Sequence, residues 1–321
     1  MQQVVRERYG SPDVVSLRDA PVPAIGDEEV LVRVRAASVN AFDDHMLRGR
    51  PLLLRLSEGL RRPKSIALGV DLAGVVEAVG AAVDQLRPGD EVFGWRGGAF
   101  GEYVAAKMRS LVPKPANLTF EEAAAIPMAA TTALQALRDA GGLRAGQSVL
   151  VIGAGGGVGS FAVQLGRALG GRVTATTSTP KLGAVAALGA EEVLDYTRID
   201  VLRSGRRFDL ILDVGGYCSA GELARALAPG GRAVGVGGGK ATSAGMAALM
   251  ASAAIRRRLG REGAQFLLAQ MKRDDLVLLA DLAASRAIRP LVDRTFPLAD
   301  AAGAFRHLES GRATGKVVLV V

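Results

Sequence analysis

A glycine-rich turn at 149–160, VLVIGAGGGVGS, limits the possible folds more than any other feature of the sequence. Four apolar residues, three of them β-branched, come first, and five glycines then occupy seven positions. Residues Ala154, Gly156 and Gly159 fit the spacing G-x-G-x-x-G, with alanine in the first position. Such glycines let the backbone approach a pyrophosphate, and the following helix N-terminus attracts its negative charge. The turn therefore predicts a dinucleotide site, while a glycine-rich turn without a ligand is the alternative.

A Walker-type phosphate loop is excluded as the source of nucleotide binding. Lys240 follows Gly239, but Ala241 stands where that motif needs serine or threonine. In addition, Val234 takes the place of the first glycine of the motif.

Strands and helices alternate from Thr119 onward, where Thr119 and Glu122 offer a capping box for the helical stretch 118–141. We predict further helices over about 158–169, 180–188, 221–228 and 242–285. Between them lie the predicted strands SVLVIG, RVTATTS, EEVLDY, FDLILDV and GRAVGVGG. This alternation predicts an α/β fold with a doubly wound parallel sheet.

The first hundred residues predict a β domain punctuated by glycines. Val30, Val32 and Val34 alternate with more polar positions, which is typical of a half-buried strand. The segments 74–80 and 90–95 are further short strands, and no long window has helical periodicity. The last strand, with four valines, could extend the parallel sheet or return to this domain.

The composition fits a globular protein of about two domains with 321 residues. A net charge of +8 could favour nucleic acid, but the basic residues are scattered apart from the run at 256–261. That run is typical of a solvated helix face, so we expect no nucleic-acid partner. The charge-free stretch 145–166 is long enough to span a bilayer, yet its seven glycines favour a strand, a turn and a buried helix.

Cysteine usage and the N-terminal sequence both favour the cytoplasm. Cys218 is the one cysteine, so no internal disulfide can form and a reducing compartment is expected. The first ten residues carry charges at positions 6, 7 and 8 and lack the apolar region of a signal peptide. We therefore expect a cytoplasmic protein with no membrane partner.

The residues 19 positions beyond the turn predict the form of the dinucleotide. NAD-binding proteins place an acid there for the ribose 2′-hydroxyl, but this chain has Ser178, with Lys181 nearby. A hydroxyl and an ammonium would bind a 2′-phosphate, so the sequence favours NADPH. Alternatively, Ser178 is a helix cap and Lys181 a surface charge.

The supply of metal-binding side chains argues against a zinc enzyme. Two histidines, His45 and His307, lie 262 residues apart, and together with one cysteine they cannot form a usual zinc site. Without a Lewis acid, oxidation of an unactivated alcohol is difficult. Reduction of a quinone or a conjugated enone is easier, because these acceptors need only a hydride and a proton.

Several stretches in a fixed order resemble one superfamily over essentially the whole chain. They are ASVNAFDDHMLRG (37–49), LGVDLAGVVEAVG (68–80), RPGDEVFG (87–94), GAFGEYV (98–104), PMAATTALQAL (127–137), LGAEEVLDY (188–196) and SGRATGKVVL (310–319). The chain resembles the medium-chain dehydrogenase/reductase superfamily and is most similar to its zinc-independent quinone oxidoreductase branch. The resemblance implies a GroES-like β domain over 1–120, completed by about 288–321, with a Rossmann domain inserted at 121–287.

The resemblance also bears on the metal. The position near the family's zinc-binding cysteine carries Asn40, and the family's Gly-His-Glu becomes Gly69-Val70-Asp71. The four-cysteine structural zinc lobe is missing as well. We therefore expect no metal.

Two residues are predicted to act in catalysis. The resemblance implies that Asn40 lies at the active-site cleft, where its amide could orient a carbonyl or the cofactor; an Asx-turn is the alternative. His45 could supply the proton after hydride transfer, although a surface or core role is the common one. Asp43 would be its orienting partner or a turn acid, and His307 is expected to be structural.

The predicted cofactor site combines the turn with positions that the resemblance implies. Thr132 would face the cofactor, and Tyr196 and Arg312 would close over the 2′-phosphate; a core role for Tyr196 is the alternative. Strand ends at the carboxyl edge of the sheet complete the set. The predicted binding residues are Thr132, Gly156, Gly157, Val158, Gly159, Ser178, Lys181, Tyr196, Val214, Val236, Gly237 and Arg312, with Gly215 beside them.

These observations predict a homodimeric, zinc-independent oxidoreductase that transfers hydride from NADPH to a quinone or an α,β-unsaturated carbonyl. The segment 50–65 is expected to form part of the rim of the acceptor pocket. One alternative is a non-catalytic relative that binds NADPH or nucleic acid, motivated by the basic run. The other is a zinc-free alcohol dehydrogenase with another proton relay.

Overall fold

A computed structural model describes residues 1–52, 54–237 and 264–321. The basic run at 256–261, Lys240 and the part of the predicted helix at 242–263 lie outside the described residues. The strands are β1 Gln2–Arg6, β2 Val15–Asp19, β3 Glu29–Val39, β4 Asp71–Val79, β5 Glu91–Trp95, β6 Tyr103–Lys107, β7 Leu111–Pro113, β8 Ser148–Ile152, β9 Arg172–Thr177, β10 Glu192–Asp195, β11 Phe208–Val214, β12 Leu227–Val236, β13 Ala264–Leu267, β14 Val292–Pro297 and β15 Lys316–Val320.

The helices are short, and several begin at a side-chain cap. They are α1 Ala41–Arg48, α2 Leu54–Glu58, α3 Phe120–Ala124, α4 Pro127–Gln135, α5 Gly157–Ala168, α6 Leu182–Ala186, α7 Ala220–Ala226, α8 Arg273–Ala284 and α9 Ala301–Glu309. The predicted capping box before α3 is confirmed, because the Thr119 hydroxyl accepts from the Glu122 N–H at 3.2 Å. None of the described helices is both long and apolar enough to span a bilayer.

The chain divides into two compact units, one formed by residues 1–131 with 271–321 and the other by 132–270. These limits differ from the predicted boundaries at 120 and 287. The stretches beyond those boundaries belong to the first unit because their polar groups are bound there. The Met128 N–H donates to Asp71, and Asn117 donates to the Ala283 carbonyl at 3.0 Å.

The first unit contains a largely antiparallel seven-stranded sheet with the path β14-β15-β3-β4-β5-β7, and β6 also pairs with β3. The predicted alternation is confirmed, since Val30, Val32 and Val34 are buried along β3. The last strand, β15, pairs antiparallel with β3. The final valines therefore return to the N-terminal sheet, as the resemblance implies.

The second unit contains a six-stranded parallel sheet in the order β10-β9-β8-β11-β12-β13. The strand order reverses beside β8, which is the arrangement of dinucleotide-binding sheets. The predicted doubly wound fold is confirmed. The carboxyl ends of all these strands lie at one edge of the sheet. Most of the candidate cofactor residues lie at that edge.

One local prediction is wrong, and one helix was not predicted. The predicted helix over 242–285 contains strand β13 at Ala264–Leu267, because this apolar segment extends the sheet by pairing with β12; within the described residues the helix is confined to α8. Helix α1 was not predicted, because it is short and lies among strands. Its signals are Asn40 before the first turn and Gly49 after the last, in a left-handed conformation with φ +59°.

Candidate functional site

The glycine-rich turn lies between β8 and α5, with Gly156 as the residue before the helix. A methyl group built on Gly156 would meet only the Gly153 carbonyl oxygen, at an ordinary 3.6 Å. In contrast, a methyl group on Gly159 would come within 2.1 Å of that oxygen. Gly159 thus allows helix and turn to pack closely, whereas Gly156 leaves a cradle open in front of the helix N-terminus. This cradle fits a pyrophosphate.

The end of β9 lies against the same turn. A methyl group on Gly155 would be 2.6 Å from the Thr177 hydroxyl and 2.7 Å from Cδ of Lys181. Ser178 precedes a short 3-10 segment, Thr179–Lys181, and its hydroxyl makes no capping hydrogen bond there within the described chain. The structure therefore brings Lys181 to the turn, and its geometry does not support the alternative that the Ser178 side chain serves as a cap.

Tyr196 lies beside the end of β9, because its N–H donates to the Thr177 carbonyl at 3.1 Å. The side chain is 60% exposed, which excludes a core role. The neighbouring Asp195 carboxylate accepts hydrogen bonds from the Thr179 and Thr197 hydroxyls, and these bonds lower its pKa. The charge of Asp195 is thus stabilised by hydroxyls from the segment after β9 and from the loop after β10.

The ends of β11 and β12 continue the edge on the other side of the turn. The Gly215 N–H donates to the Val236 carbonyl at 2.8 Å, and Val214 pairs with Val236. A methyl group on Gly153 would lie 2.6 Å from the Val214 carbonyl oxygen. Of the predicted residues, Val214 therefore neighbours the turn, and Gly215, Val236 and Gly237 lie at the adjoining strand ends. Tyr217, which the sequence analysis did not single out, follows directly.

The roles of all the predicted cofactor residues stay predictions, including those of Thr132 and Arg312. Thr132, in α4, is the first residue of the second unit, and Arg312 is an exposed residue of the first unit. Gly157, Val158 and Gly159 open helix α5, so they share the position of the turn.

A buried polar network lies in the first unit, where β3, β4, β15 and α1 meet. The Asp71 carboxylate accepts hydrogen bonds from the Ser38 hydroxyl at 3.1 Å and from the Asn40 amide at 3.0 Å. It also accepts the Met128 N–H at 3.2 Å. The Lys316 ammonium donates to the Asn40 amide oxygen and lies 3.9 Å from the Asp71 carboxylate. All these polar side chains are at least nine-tenths buried.

Burial dominates the titration of this network. It raises the pKa of Asp71 and lowers the pKa of Lys316, while the opposite charge of each partner counteracts the shift. Lys316 was not singled out from the sequence. Its signal was a single cation at the start of an apolar strand, KVVLV.

The hydrogen bonds of Asn40 limit what this residue can do. Its amide N–H groups donate to Asp71 and to the Ser38 carbonyl, the latter at 3.3 Å, and its amide oxygen accepts from Lys316. Its backbone N–H donates to the Asp43 carboxylate at 2.8 Å, which fixes the start of α1. Both amide hydrogens are therefore used within the network. This geometry favours a structural role, in which the amide links the end of β3 to β4 and β15, over the predicted role of orienting a substrate carbonyl.

His45 lies on α1 and is half-buried, and its ring forms no hydrogen bond with the described residues. Burial lowers its pKa. The Asp43 carboxylate binds the Asn40 N–H rather than the imidazole, so of its two predicted alternatives the geometry favours the turn acid. The other histidine, His307, contacts Asp293 at 2.6 Å, which agrees with the structural role expected for it.

Asp43 supplies a test of the buried network by pH. Burial raises the pKa of Asp43 to about 7, above about 3.9 in an unfolded chain. The folded state therefore holds its proton more tightly, and this contribution to stability is lost as pH rises through 7. We expect Asp43→Asn, which keeps an oxygen for the Asn40 N–H, to gain about 1–3 kcal/mol relative to wild type between pH 5 and pH 8. Urea unfolding at the two pH values measures it; an unchanged difference would contradict the buried neutral carboxyl.

Within the described part of the chain, no group of three or more histidine, cysteine, aspartate or glutamate side chains is arranged to hold a metal ion. Burial raises the pKa of the Cys218 thiol to about 12, and the nearby Asp213 and Glu222 carboxylates act in the same direction. The thiolate form is therefore rare at neutral pH.

Comparison with known proteins gives two family matches. Residues 26–116 match the alcohol dehydrogenase GroES-like domain, and residues 188–319 match the zinc-binding dehydrogenase family. The chain is 34% identical to the tomato 2-methylene-furan-3-one reductase, over 97% of this chain and 76% of that protein. It is 32% identical to the chloroplastic NADPH-dependent alkenal/one oxidoreductase of Arabidopsis thaliana, over 99% and 79%.

Solved structures give the same picture of the fold. The quinone oxidoreductase of Coxiella burnetii matches with a TM-score of 0.87 and 30% identity, over 100% of this chain and 99% of that one. An NAD-dependent alcohol dehydrogenase matches with a TM-score of 0.84 and 33% identity, over the full length of both chains. The predicted pairing of a GroES-like domain with a dinucleotide-binding sheet is confirmed.

Proposed function

Because this chain belongs to the medium-chain dehydrogenase/reductase superfamily, in its quinone oxidoreductase-like branch, we propose that it transfers a hydride from NADPH to a quinone or an α,β-unsaturated carbonyl. The observation that carries this proposal is the open cradle at Gly156 with the cation Lys181 close by. In addition, position 178 carries a serine and not an acid. Two relatives with the names of enone reductases, one of them NADPH-dependent, support it.

NADPH, when bound, supplies a hydride from C4 of its nicotinamide ring. The chain's own contribution is to hold the pyrophosphate at Gly156–Gly159 and the 2′-phosphate at Ser178 and Lys181. On the other side of the turn, Val214, Val236 and Gly237 border the remaining half of the dinucleotide. Tyr196, Thr132 and Arg312 belong to the proposed site on the strength of the family resemblance.

The chemistry proposed for this chain is independent of zinc. The stretch that matches the family's zinc-binding cysteine carries no thiol and has Asn40 near that position, and Val70 replaces the family's histidine. Lys316, on the amide oxygen of Asn40, already places a fixed cation in that network. An electrophilic acceptor suits such a site, because hydride transfer to it requires no alkoxide to be stabilised.

The cofactor preference follows from Lys181. We expect Lys181→Met, which keeps the aliphatic packing against Gly155, to weaken NADPH binding about tenfold or more, since a charge-assisted hydrogen bond contributes about 1.5–3 kcal/mol. NADH affinity should not change, because NADH lacks the 2′-phosphate. Thermal shift titrations of both proteins with NADPH and NADH measure this. A larger thermal shift of the wild-type protein with NADH than with NADPH would contradict the NADPH assignment. The comparison is worth making because one structural relative is an NAD-dependent alcohol dehydrogenase.

His45 is the proposed proton donor after hydride transfer. Burial lowers its pKa below 6.5, so the imidazolium form is lost at a lower pH than for an exposed histidine. We expect kcat of the wild type to fall as pH rises through this lowered pKa. His45→Gln should remove that dependence and lower kcat by about 100-fold or more. The measurement is kcat from pH 5 to 8, with His307→Gln as the matched control; an unchanged profile in His45→Gln would exclude His45 as the proton donor.

The proposal further includes a cytoplasmic location, a homodimeric assembly and no nucleic-acid or membrane partner. One cysteine in 321 residues supports a reducing compartment. Light scattering of the purified protein tests the dimer. Retention on RNA at low salt would instead favour a nucleic-acid-binding relative.

The direct test of the proposed function is NADPH consumption with a panel of acceptors. The panel contains 1,2-quinones, 1,4-quinones, enones and saturated ketones of matched size. Turnover of a quinone or enone and none of the saturated ketones is the expected result. Tight NADPH binding without turnover of any acceptor would favour the non-catalytic alternative, and reduction of a saturated ketone would favour the zinc-free alcohol dehydrogenase.

A further inference from the structure

The exposed large apolar side chains of the second unit are concentrated at one edge of its sheet. Among the described residues of this unit they are Tyr196, Ile199, Tyr217 and Leu268. Tyr196 and Ile199 follow the carboxyl end of β10, Tyr217 follows β11, and Leu268 follows β13. Exposed apolar groups gathered at the carboxyl edge of a parallel sheet indicate a ligand site there.

Tyr217 is held more firmly than an exposed loop residue needs to be. The buried Asp213 carboxylate accepts the Tyr217 N–H at 3.2 Å and the Cys218 N–H at 3.0 Å. The ring packs over Gly215, where a methyl group would come within 2.4 Å of Cε2. Gly215 and Gly216 both adopt left-handed conformations, with φ +111° and +65°. The turn thus presents a fixed aromatic ring that remains 65% exposed.

The order of strands indicates which half of the dinucleotide this ring meets. Lys181, after β9, marks the adenosine side, and the glycine-rich turn after β8 marks the pyrophosphate. The sheet order is β9-β8-β11, so the end of β11 lies on the opposite side of the pyrophosphate from the adenosine. A dinucleotide laid across the edge places its nicotinamide half there.

We propose that Tyr217 binds the nicotinamide half of NADPH through its aromatic ring. This inference rests on the proposed function, because it takes NADPH as the ligand. The phenol hydroxyl is not required, since the planar ring supplies the contact. Asp213 is then a positioning residue, which acts by fixing the turn.

The test compares two ligands that share the adenosine half. In Tyr217→Ala we expect NADPH to bind about 5- to 10-fold more weakly, which is the range of a ring contact. Adenosine 2′,5′-bisphosphate, which lacks the nicotinamide half, should bind as it does to the wild type. Tyr217→Phe should bind both ligands normally. Equilibrium dissociation constants from calorimetry supply the readout, so no acceptor is needed.

The matched control is Arg207→Ala, an exposed change at the amino end of the same strand, and it should alter neither affinity. Unchanged NADPH affinity in Tyr217→Ala would overturn the inference while leaving the proposed function intact. Equal weakening of both ligands would also overturn it, because it would indicate a collapsed edge. If the wild-type protein binds neither NADPH nor adenosine 2′,5′-bisphosphate, the result contradicts the proposed function itself, and the inference about Tyr217 falls with it.

Discussion

Lys316→Met is expected to lower the free energy of unfolding by about 3–5 kcal/mol, because it leaves the buried charge of Asp71 without its cation. Methionine fills a similar volume, so the loss reflects charge rather than a cavity. The Asn40 amide oxygen also loses its donor. Since Lys316 is 3% exposed and Asp71 fully buried, water cannot replace the ammonium without opening the sheet.

Urea unfolding of the single and double variants measures this effect. Asp71→Asn combined with Lys316→Met removes both charges and keeps an oxygen for the Ser38 hydroxyl, so the double variant should be more stable than Lys316→Met alone. Lys272→Met, on an exposed lysine of the same unit, is the control and should change stability little. A Lys316→Met variant within about 1 kcal/mol of the wild type would mean that Asp71 and Lys316 are both uncharged in the folded protein.

Gly156→Ala is expected to weaken NADPH binding by about 5- to 150-fold while the protein stays folded. The methyl group meets only one atom of the protein, at 3.6 Å, and the φ of −95° suits alanine. It would instead occupy the space that the pyrophosphate needs, and overpacking of one methyl group costs about 1–3 kcal/mol.

Two glycine variants separate binding from folding. Gly221→Ala adds a methyl group on α7 with no atom within 4 Å, so it should leave NADPH affinity unchanged and raise stability by at most about 1 kcal/mol. Gly159→Ala should lower stability, because its methyl group would come within 2.1 Å of the Gly153 carbonyl oxygen. NADPH affinity by calorimetry and thermal unfolding give the two readouts. Normal NADPH affinity in Gly156→Ala would contradict the assignment of the pyrophosphate to the glycine-rich turn.

The features that could be predicted from the sequence are those that depend on the spacing of residues close together in the chain. The glycine turn, the Thr119 capping box and the strand–helix alternation each depend on residues within a few positions of one another. Lys181 was also predicted locally, by counting residues from the glycine-rich turn to the end of the next strand of the same βαβ unit. The return of β15 to the first sheet was not fixed by periodicity and came from the family resemblance.

The features that were missed depend on contacts between distant segments. Lys316 and Asn40 are 276 positions apart, and the β3–β15 register brings them together. That pairing decides what the Asn40 amide can do, so its role could not be derived from the loop sequence. Strand β13 was missed because an apolar segment becomes a strand or a helix according to whether a neighbouring strand is available for pairing.

Transfer of deuterium from NADPH labelled at C4 of the nicotinamide ring tests the central claim most directly. Incubation of the zinc-depleted protein with an enone and each of the two C4 epimers, followed by mass spectrometry of the product, gives the readout. The account predicts one deuterium at the β-carbon from one epimer only, a proton from solvent at the α-carbon, and no increase in rate on adding zinc. Product without deuterium from either epimer, or turnover that requires zinc, would contradict it.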